Sequence, residues 1–251
     1  RLLELYEDLE LDLPELVSLT LRVGADGSLL ALLQLADDEP PSLEADFPVS
    51  AALLLSDGTA ANLIGDNDLV QRVSGREFRV SAGCFFYLSE PATEFMVETM
   101  MQYAALTGSG SVLELYSGVG TLTAFLAAKA AEVVTIEMNP DAVADAANNL
   151  ADFDNVSVYQ GRIEDVLPLL KVQPDVVVAD PPPGGLSVEV LDQLEAMGAS
   201  TVIYISSDVA TLARDGRRLV AKGYRLEQLQ PLDMQPQTYY VQTISLWILS
   251  G

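Results

Sequence analysis

From Pro91 onward, short apolar strands and helices alternate, and this alternation constrains the fold more than any other feature of the chain. The pattern predicts a helix over Pro91–Leu106, a strand over Ser111–Tyr116, a helix over Val119–Ala130, a strand over Val133–Glu137 and a helix over Asp141–Ala151. Next come Val156–Tyr159 (strand), Ile163–Leu170 (helix), Asp175–Asp180 (strand) and Val188–Met197 (helix). Thr201–Ile205 (strand), Ala210–Lys222 (helix), and the strands Tyr224–Gln230 and Val241–Ile248 complete the series. Strands that are apolar throughout, such as Val176-Val177-Val178, suit a sheet covered on both faces. Alternation of this kind implies a mostly parallel, doubly wound α/β sheet. The last two strands are joined without a helix, which predicts an antiparallel pair at that end. Ser89 suits an N-cap, with Pro91 in the first turn of its helix.

Residues 1–80 are patterned differently. Leu16–Val23 and Ser28–Leu35 flank Gly24-Ala25-Asp26-Gly27, a hairpin signal. Ala36–Pro48 is acidic and Pro-bearing, hence a loop. Ala51–Leu55 with Ser56-Asp57-Gly58, and Val70–Val73 with Ser74-Gly75 and Glu77–Ser81, add further strands and turns. The expectation is a small antiparallel β subdomain over 1–80, with a helical lead-in at Leu2–Leu9, followed by an α/β domain over 81–251.

Two absences narrow the chemistry. The 251 residues contain no His, which removes His-based triads, general bases and metal sites. The single Cys, Cys84, cannot by itself build a disulfide, a zinc site or an iron–sulfur cluster. Nothing in the pattern suggests a metal. No apolar run is long enough to span a bilayer and no signal-peptide pattern is present, so a cytosolic location is the default. Thirteen Lys and Arg face 37 Asp and Glu, a net charge of −24. Such a charge repels nucleic acid at long range, and an acidic, Lys-poor surface also matches a high-salt proteome. Arg72, Arg76 and Arg79 form one local cation cluster and Arg214, Arg217 and Arg218 another, both read as solvated faces.

The segment Val112-Leu113-Glu114-Leu115-Tyr116-Ser117-Gly118-Val119-Gly120-Thr121 reads as a strand, a Gly-bearing turn and a helix start. Glycines there let backbone approach a ligand closely, beside free helix N–H groups. Glu137 ends the second strand about 20 positions on, where a carboxylate can accept from both hydroxyls of a ribose. Asp180-Pro181-Pro182 ends the fourth strand, at the edge where open α/β sheets bind ligands. Together Tyr116, Gly118, Gly120, Glu137 and Asp180 fit an adenosine-containing ligand. No Gly-Lys-Ser/Thr occurs, which removes a P-loop. The third Gly of a dinucleotide fingerprint is missing.

These residues, with Ser81-Ala82-Gly83-Cys84-Phe85-Phe86, Ala210-Thr211-Leu212-Ala213-Arg214-Asp215 and Asp233-Met234 with Pro236-Gln237-Thr238-Tyr239, carry a resemblance. Over roughly residues 70–251 the chain resembles the S-adenosylmethionine-dependent RNA uracil-C5 methyltransferases, which make 5-methyluridine in tRNA and rRNA. The resemblance implies a class I methyltransferase (Rossmann-like) fold, S-adenosylmethionine as methyl donor with S-adenosylhomocysteine as product, and RNA as partner. It implies no metal. Some family members carry an RNA-binding barrel or an iron–sulfur cluster, and neither is apparent here.

The departures bear on chemistry. The family's mechanism needs a Cys thiolate to add to uracil C6, and that position is Ser207. Its Glu, which removes the C5 proton, is replaced by Gln242. A Ser hydroxyl is a far poorer nucleophile without a base to activate it. The family's His near that Glu is Tyr240, the Arg of its Asp-Pro-Pro-Arg pattern is Pro183, its Gln after the Phe pair is Tyr87, and a common acid after Gly161 is Arg162. Cys84 falls at a position that is ordinarily small and buried. The expectation is an S-adenosylmethionine pocket on a protein that does not form 5-methyluridine. Two alternatives stand beside it: an active methyltransferase for a different RNA, protein or small-molecule acceptor, and a non-catalytic binding or scaffold protein.

Overall fold

The computed structural model describes residues 15–41, 48–238 and 240–250. The expected helix at Leu2–Leu9 and the motif residue Tyr239 lie outside them. Strands β1 (Leu16–Val23), β2 (Leu29–Leu35), β3 (Ser50–Leu54) and β4 (Ala60–Ile64) form one sheet in that order. β5 (Asp68–Val73) and β6 (Arg76–Ser81) form a separate hairpin. Then come α1 (Glu90–Ala104), β7 (Ser111–Leu115), α2 (Thr121–Ala127), β8 (Glu132–Glu137), α3 (Pro140–Asn149) and β9 (Val156–Gln160). A short α4 (Ile163–Val166) leads to β10 (Val176–Ala179), α5 (Val188–Met197), β11 (Thr201–Ser206), α6 (Val209–Ala221), β12 (Tyr224–Leu232) and β13 (Gln242–Leu249).

The central sheet runs β12-β13-β11-β10-β7-β8-β9. Strands β7 to β11 pair in parallel, and β13 is antiparallel to both neighbours. The strand order reverses between β7 and β10, which opens a crevice at their carboxyl ends. Alternation along each strand sends successive side chains to opposite faces. Val112, Val133 and Val178 pack with Met96, Met100, Leu122 and Ala146 of α1, α2 and α3. Leu113, Val134 and Val177 pack with Leu191, Leu194 and Leu219 of α5 and α6. Polar caps start the helices. Ser89 Oγ accepts from Ala92 N at α1, Asn139 Oδ1 from Asp141 N and Ala142 N at α3, and Asp208 Oδ1 from Thr211 N at α6. Each such cap stabilises by about 1 kcal/mol.

The N-terminal sheet matches the expected hairpins, with one pair departing from the antiparallel pattern. β2 and β3 run parallel, Leu30 opposite Ser50. They are joined by the long acidic segment after Leu35 rather than a tight turn, so the chain has room to cross over. Hairpin β5–β6 lies at the expected division at residue 80, yet it shares the α/β core. Val73, Phe78 and Val80 are buried in the layer that covers α1 to α3. Asn149 of α3 fixes it there, accepting from Arg79 N at 2.8 Å and donating to Arg79 O and Val119 O at 2.9 Å. The first sheet is tied on in turn, through Arg22 Nη1 donating to Cys84 O at 2.8 Å and Gln71 Nε2 donating to Val23 O at 3.0 Å.

Candidate ligand crevice at the carboxyl edge of the sheet

Strand β7 ends in a sharp turn. Tyr116 adopts φ +65°, Gly118 φ +55° and Gly120 φ +83°. A non-Gly residue in that region costs about 1–2 kcal/mol. The turn is held by Tyr116 N and Ser117 N, both donating to Ile136 O of β8. The two glycines serve different ends. A Cβ on Gly118 would meet nothing within 4 Å, so the crevice is open above it. A Cβ on Gly120 would lie 2.9 Å from Leu150 Cδ1, so that glycine lets α2 and α3 pack closely.

Glu137 stands beside the turn. Its Oε2 accepts from Gly118 N at 2.8 Å, and its Oε1 accepts from Met138 N and Asn139 N at 2.7 Å. A carboxylate offers about four acceptor sites, so little free capacity remains until one of these bonds is shared or released. Asp180, at the end of β10, accepts from the Tyr87 hydroxyl at 2.6 Å. Burial pushes the Asp180 carboxyl up to about 6, against the opposing pull of the Tyr87 hydroxyl. Burial, with Asp180 and Glu114 adding to it, pushes the Tyr87 phenol well above its usual range. Burial likewise holds the Tyr116 phenol up at about 12.

A third acid completes the set. Glu114 pairs in register with Val178 of β10 and Thr135 of β8. Two residues further on those strands are Asp180 and Glu137, so the three carboxylates share one face of three adjacent strands. Glu114 is 1% exposed, and its Oε2 has no hydrogen-bond partner. The buried hydroxyls of Thr123 and Thr135 likewise make no well-aligned hydrogen bond, though that of Thr123 lies close enough to act on the Glu114 carboxyl. Burial pushes Glu114 up to about 8; the Thr123 hydroxyl pulls the other way, and Asp180 and Glu137 add to the rise. A lone charge in the otherwise apolar run of β7 was the sequence signal for this residue.

Ser207 and Gln242 come together at the neighbouring strand ends. They immediately follow and precede the antiparallel pair Ser206–Thr243 of β11 and β13. The acid nearest in sequence to Ser207, Asp208, caps α6, and its bond from Thr211 N holds its carboxyl below the usual range. It is therefore a weak base. Cys84 is 1% exposed, and burial, reinforced by Asp145 and Asp141, pushes its thiol far up, which leaves no thiolate at neutral pH. Arg162 is mostly exposed and faces Glu164 and Asp165 at 3.8 and 3.9 Å. Pro183 is exposed, and Tyr240 is 42% exposed.

The loop after Asp180 is anchored by Asp215, a residue that sequence reading placed only within a motif. Asp215 is fully buried and accepts from Leu186 N and the Tyr204 hydroxyl at 2.9 Å. Arg214 pairs with it at 2.9 Å and donates to Gly184 O at 2.8 Å. The expected cation clusters are largely neutralised: Arg72 by Glu77, Arg76 by Asp152, Arg79 by Asp68 and Asp145, and Arg218 by Asp215. Among the described residues, no group of three or more His, Cys, Asp or Glu is arranged to hold a metal ion, and no helix is long and apolar enough to cross a membrane.

Comparison with known proteins agrees with this architecture. Residues 106–243 match the family model for a methyltransferase domain. An uncharacterized RNA methyltransferase from Enterococcus faecalis is 36% identical over 189 residues, 73% of this chain and 41% of that protein. One from Listeria innocua is 33% identical over 223 residues, 87% of this chain and 49% of that protein. The chain thus spans less than half the length of these curated relatives. The tRNA (uracil-54, C5)-methyltransferase of Pyrococcus abyssi, crystallised with S-adenosyl-L-homocysteine, superposes with a TM-score of 0.73 at 21% identity, over 94% of this chain and 61% of that one. That likeness shares the fold. With the glycine turn, the sheet order and the matched family model in agreement, the chain belongs to the methyltransferase domain family.

Proposed function

We propose that this chain binds S-adenosylmethionine at the β7–β8–β10 edge within an RNA methyltransferase-like protein, and that it does not form 5-methyluridine. The residues suit the ligand. Gly118 leaves open space for it, Glu137 stands where ribose hydroxyls would be read, and Glu114 offers an unpartnered buried oxygen. When bound, the ligand supplies an electrophilic methyl group on a sulfonium. Tyr87 and Asp180, bonded to each other at the end of β10, would orient one another toward it, and Ser207 and Gln242, at the ends of β11 and β13, would border the acceptor.

The observation that carries the negative half is the placement of Ser207 and Gln242 on either side of the Ser206–Thr243 pair at the ends of β11 and β13. Uracil C5 becomes nucleophilic only after covalent addition at C6, and its proton must then leave. Among the described residues no base is hydrogen-bonded to Ser207, Asp208 is committed to its cap, and the Gln242 amide takes no proton. RNA as partner rests on the relatives, while the charge of −24 opposes encounter at low salt. The test is calorimetry with S-adenosylmethionine, followed by incubation with unmodified tRNA and rRNA transcripts and labelled methyl donor. Donor binding without 5-methyluridine is the expected result. Catalytic 5-methyluridine formation by the natural protein would overturn it. Slow turnover appearing in Ser207→Cys with Gln242→Glu would identify the intact scaffold of a lost activity.

A further inference from the structure

We propose that Arg22, on the first strand of the N-terminal sheet, is a positioning residue for the crevice: it holds the Cys84 carbonyl and thereby aims the segment Phe85-Phe86-Tyr87 at the end of β10. What the aimed Tyr87 ring faces rests on the S-adenosylmethionine reading above; the aiming itself does not.

Residues 85–88 lie outside every helix and strand, and among the described residues they make no backbone hydrogen bond. Their course is set from outside. Upstream, Asp145 of α3 accepts from Ser81 N at 2.6 Å and from Ser81 Oγ at 2.9 Å. Cys84 N donates to Ser81 O at 2.9 Å, and Arg22 Nη1 donates to Cys84 O at 2.8 Å. A Cβ on Gly83 would lie 3.2 Å from Ala60 Cβ, so β4 presses on the same stretch. Downstream, Ser89 caps α1. Between these ends, Phe86 packs on Phe78 with ring centres 6.4 Å apart, Phe85 meets Tyr87 edge-on at 5.3 Å, and Tyr87 reaches Asp180. Three residues of chain span at most about 10 Å, so a shift of the Cys84 carbonyl is passed on to the Tyr87 ring.

Fastening the N-terminal sheet does not require this arginine. Leu30, Leu32 and Ala52 already pack on Leu69 and Ala82. Gln71 Nε2 donates to Val23 O at 3.0 Å and Ala25 N to Val70 O at 2.7 Å. Register sets Arg22 opposite Leu30, on that same apolar face. Desolvating a guanidinium there is costly, and no carboxylate among the described residues pairs with it to offset the cost. An aliphatic side chain would fill the same space without that penalty. What the cation adds is a charge-assisted, directional bond, stronger than a neutral one, to the carbonyl from which the segment 85–87 departs. The sheet that carries Arg22 is thus part of the frame of the crevice.

The test uses the full chain with labelled tyrosine, read by carbon NMR at the ring carbon that bears the hydroxyl. The Tyr87 signal is assigned by its absence in Tyr87→Phe. Tyr204 and Tyr224, whose hydroxyls donate to Asp215 and to Ala199 O, serve as internal controls. Arg22→Met keeps an apolar stem and gives up the donor. Its Tyr87 signal should shift or broaden while the two control signals stay in place, and Arg22→Lys, which retains a charged donor, should restore much of the natural signal. Affinity for S-adenosylhomocysteine, measured by calorimetry, should fall about three- to tenfold in Arg22→Met and stay within about twofold in Arg22→Lys. An unchanged Tyr87 signal in Arg22→Met overturns the inference. So does equal movement of all three signals, which marks general loosening. Absence of ligand binding by the natural protein overturns the S-adenosylmethionine reading and leaves the Tyr87 signal to decide the positioning. Should Arg22→Met not fold, Arg22→Gln, whose shorter carboxamide leaves the Cys84 carbonyl unbonded, is read in the same way.

Discussion

The Tyr87 hydroxyl lies 2.6 Å from Asp180 Oδ2, closing a phenol–carboxylate pair over the end of β10. Tyr87→Phe removes the side-chain bond that lowers Asp180, so that carboxyl should titrate above about 6. The loss should cost about 1–3 kcal/mol at pH values where Asp180 is ionised, and less where it is protonated. Urea unfolding of the ligand-free variant on both sides of that value checks it.

Glu114 has the larger consequence for pH. Its folded value, about 8, lies above the ordinary carboxylate value, so the native state holds more protons than the unfolded chain in between. The stability it contributes is present below the ordinary value and is lost as pH rises through about 8. Glu114→Gln should therefore flatten this part of the profile. It should exceed the natural protein by roughly 1–3 kcal/mol at about pH 9, with little difference near pH 4. Denaturant midpoints across that range would show parallel profiles if this assignment is wrong.

The two glycines of the turn should separate under alanine substitution. Gly120→Ala forces a Cβ against Leu150 at positive φ and should lower stability by about 2–4 kcal/mol. Gly118→Ala has room for its Cβ and should cost only about 1 kcal/mol, for its backbone, while obstructing the crevice. Paired measurements of melting temperature and ligand affinity distinguish them. Equal stability losses would contradict the division of roles.

Asp215→Ala strands two guanidinium groups, the Tyr204 hydroxyl and the Leu186 amide. A loss of about 3–5 kcal/mol is expected for breaking a buried charged network. The loop 181–187 should also become the first protease-sensitive site near the crevice, which limited proteolysis with mass mapping would reveal.

A charge of −24 repels itself, and the described cations are mostly spent on local pairs. Salt shortens the screening length from about 10 Å at 0.1 M to about 3 Å at 1 M. Melting temperature should rise by several degrees over that range. RNA association should lack the steep salt-induced loss of ordinary basic binders. A melting temperature that falls with added potassium chloride would refute this.

The α/β sheet was legible because its central strands are apolar on both faces and the first helix carries a cap at Ser89 that needs no tertiary knowledge; the Asp208 cap of α6 was not read from the sequence. The edge residues Gly118, Glu137 and Asp180 were legible because parallel topology sends them to one rim. The parallel β2–β3 pair was not, since a long connection permits either direction. Nor were the separate duties of Gly118 and Gly120, which depend on where Leu150 lies, or the Tyr87–Asp180 bond, whose partners are distant in sequence. Glu114 stood in plain view within its motif, but its orphaned oxygen exists only once α2 covers it.

Hairpin β5–β6 sets where this protein can be cut. Phe78 fills the layer above the sheet, and the Asn149 carboxamide clasps Arg79 with one hand and the glycine turn with the other. A fragment begun at Glu90 would contain every strand of the large sheet and still have an open wound along α3, where the Asn149 carboxamide would lose both of its bonds to Arg79. A fragment begun at Asp68 would keep both strands of the hairpin and that clasp.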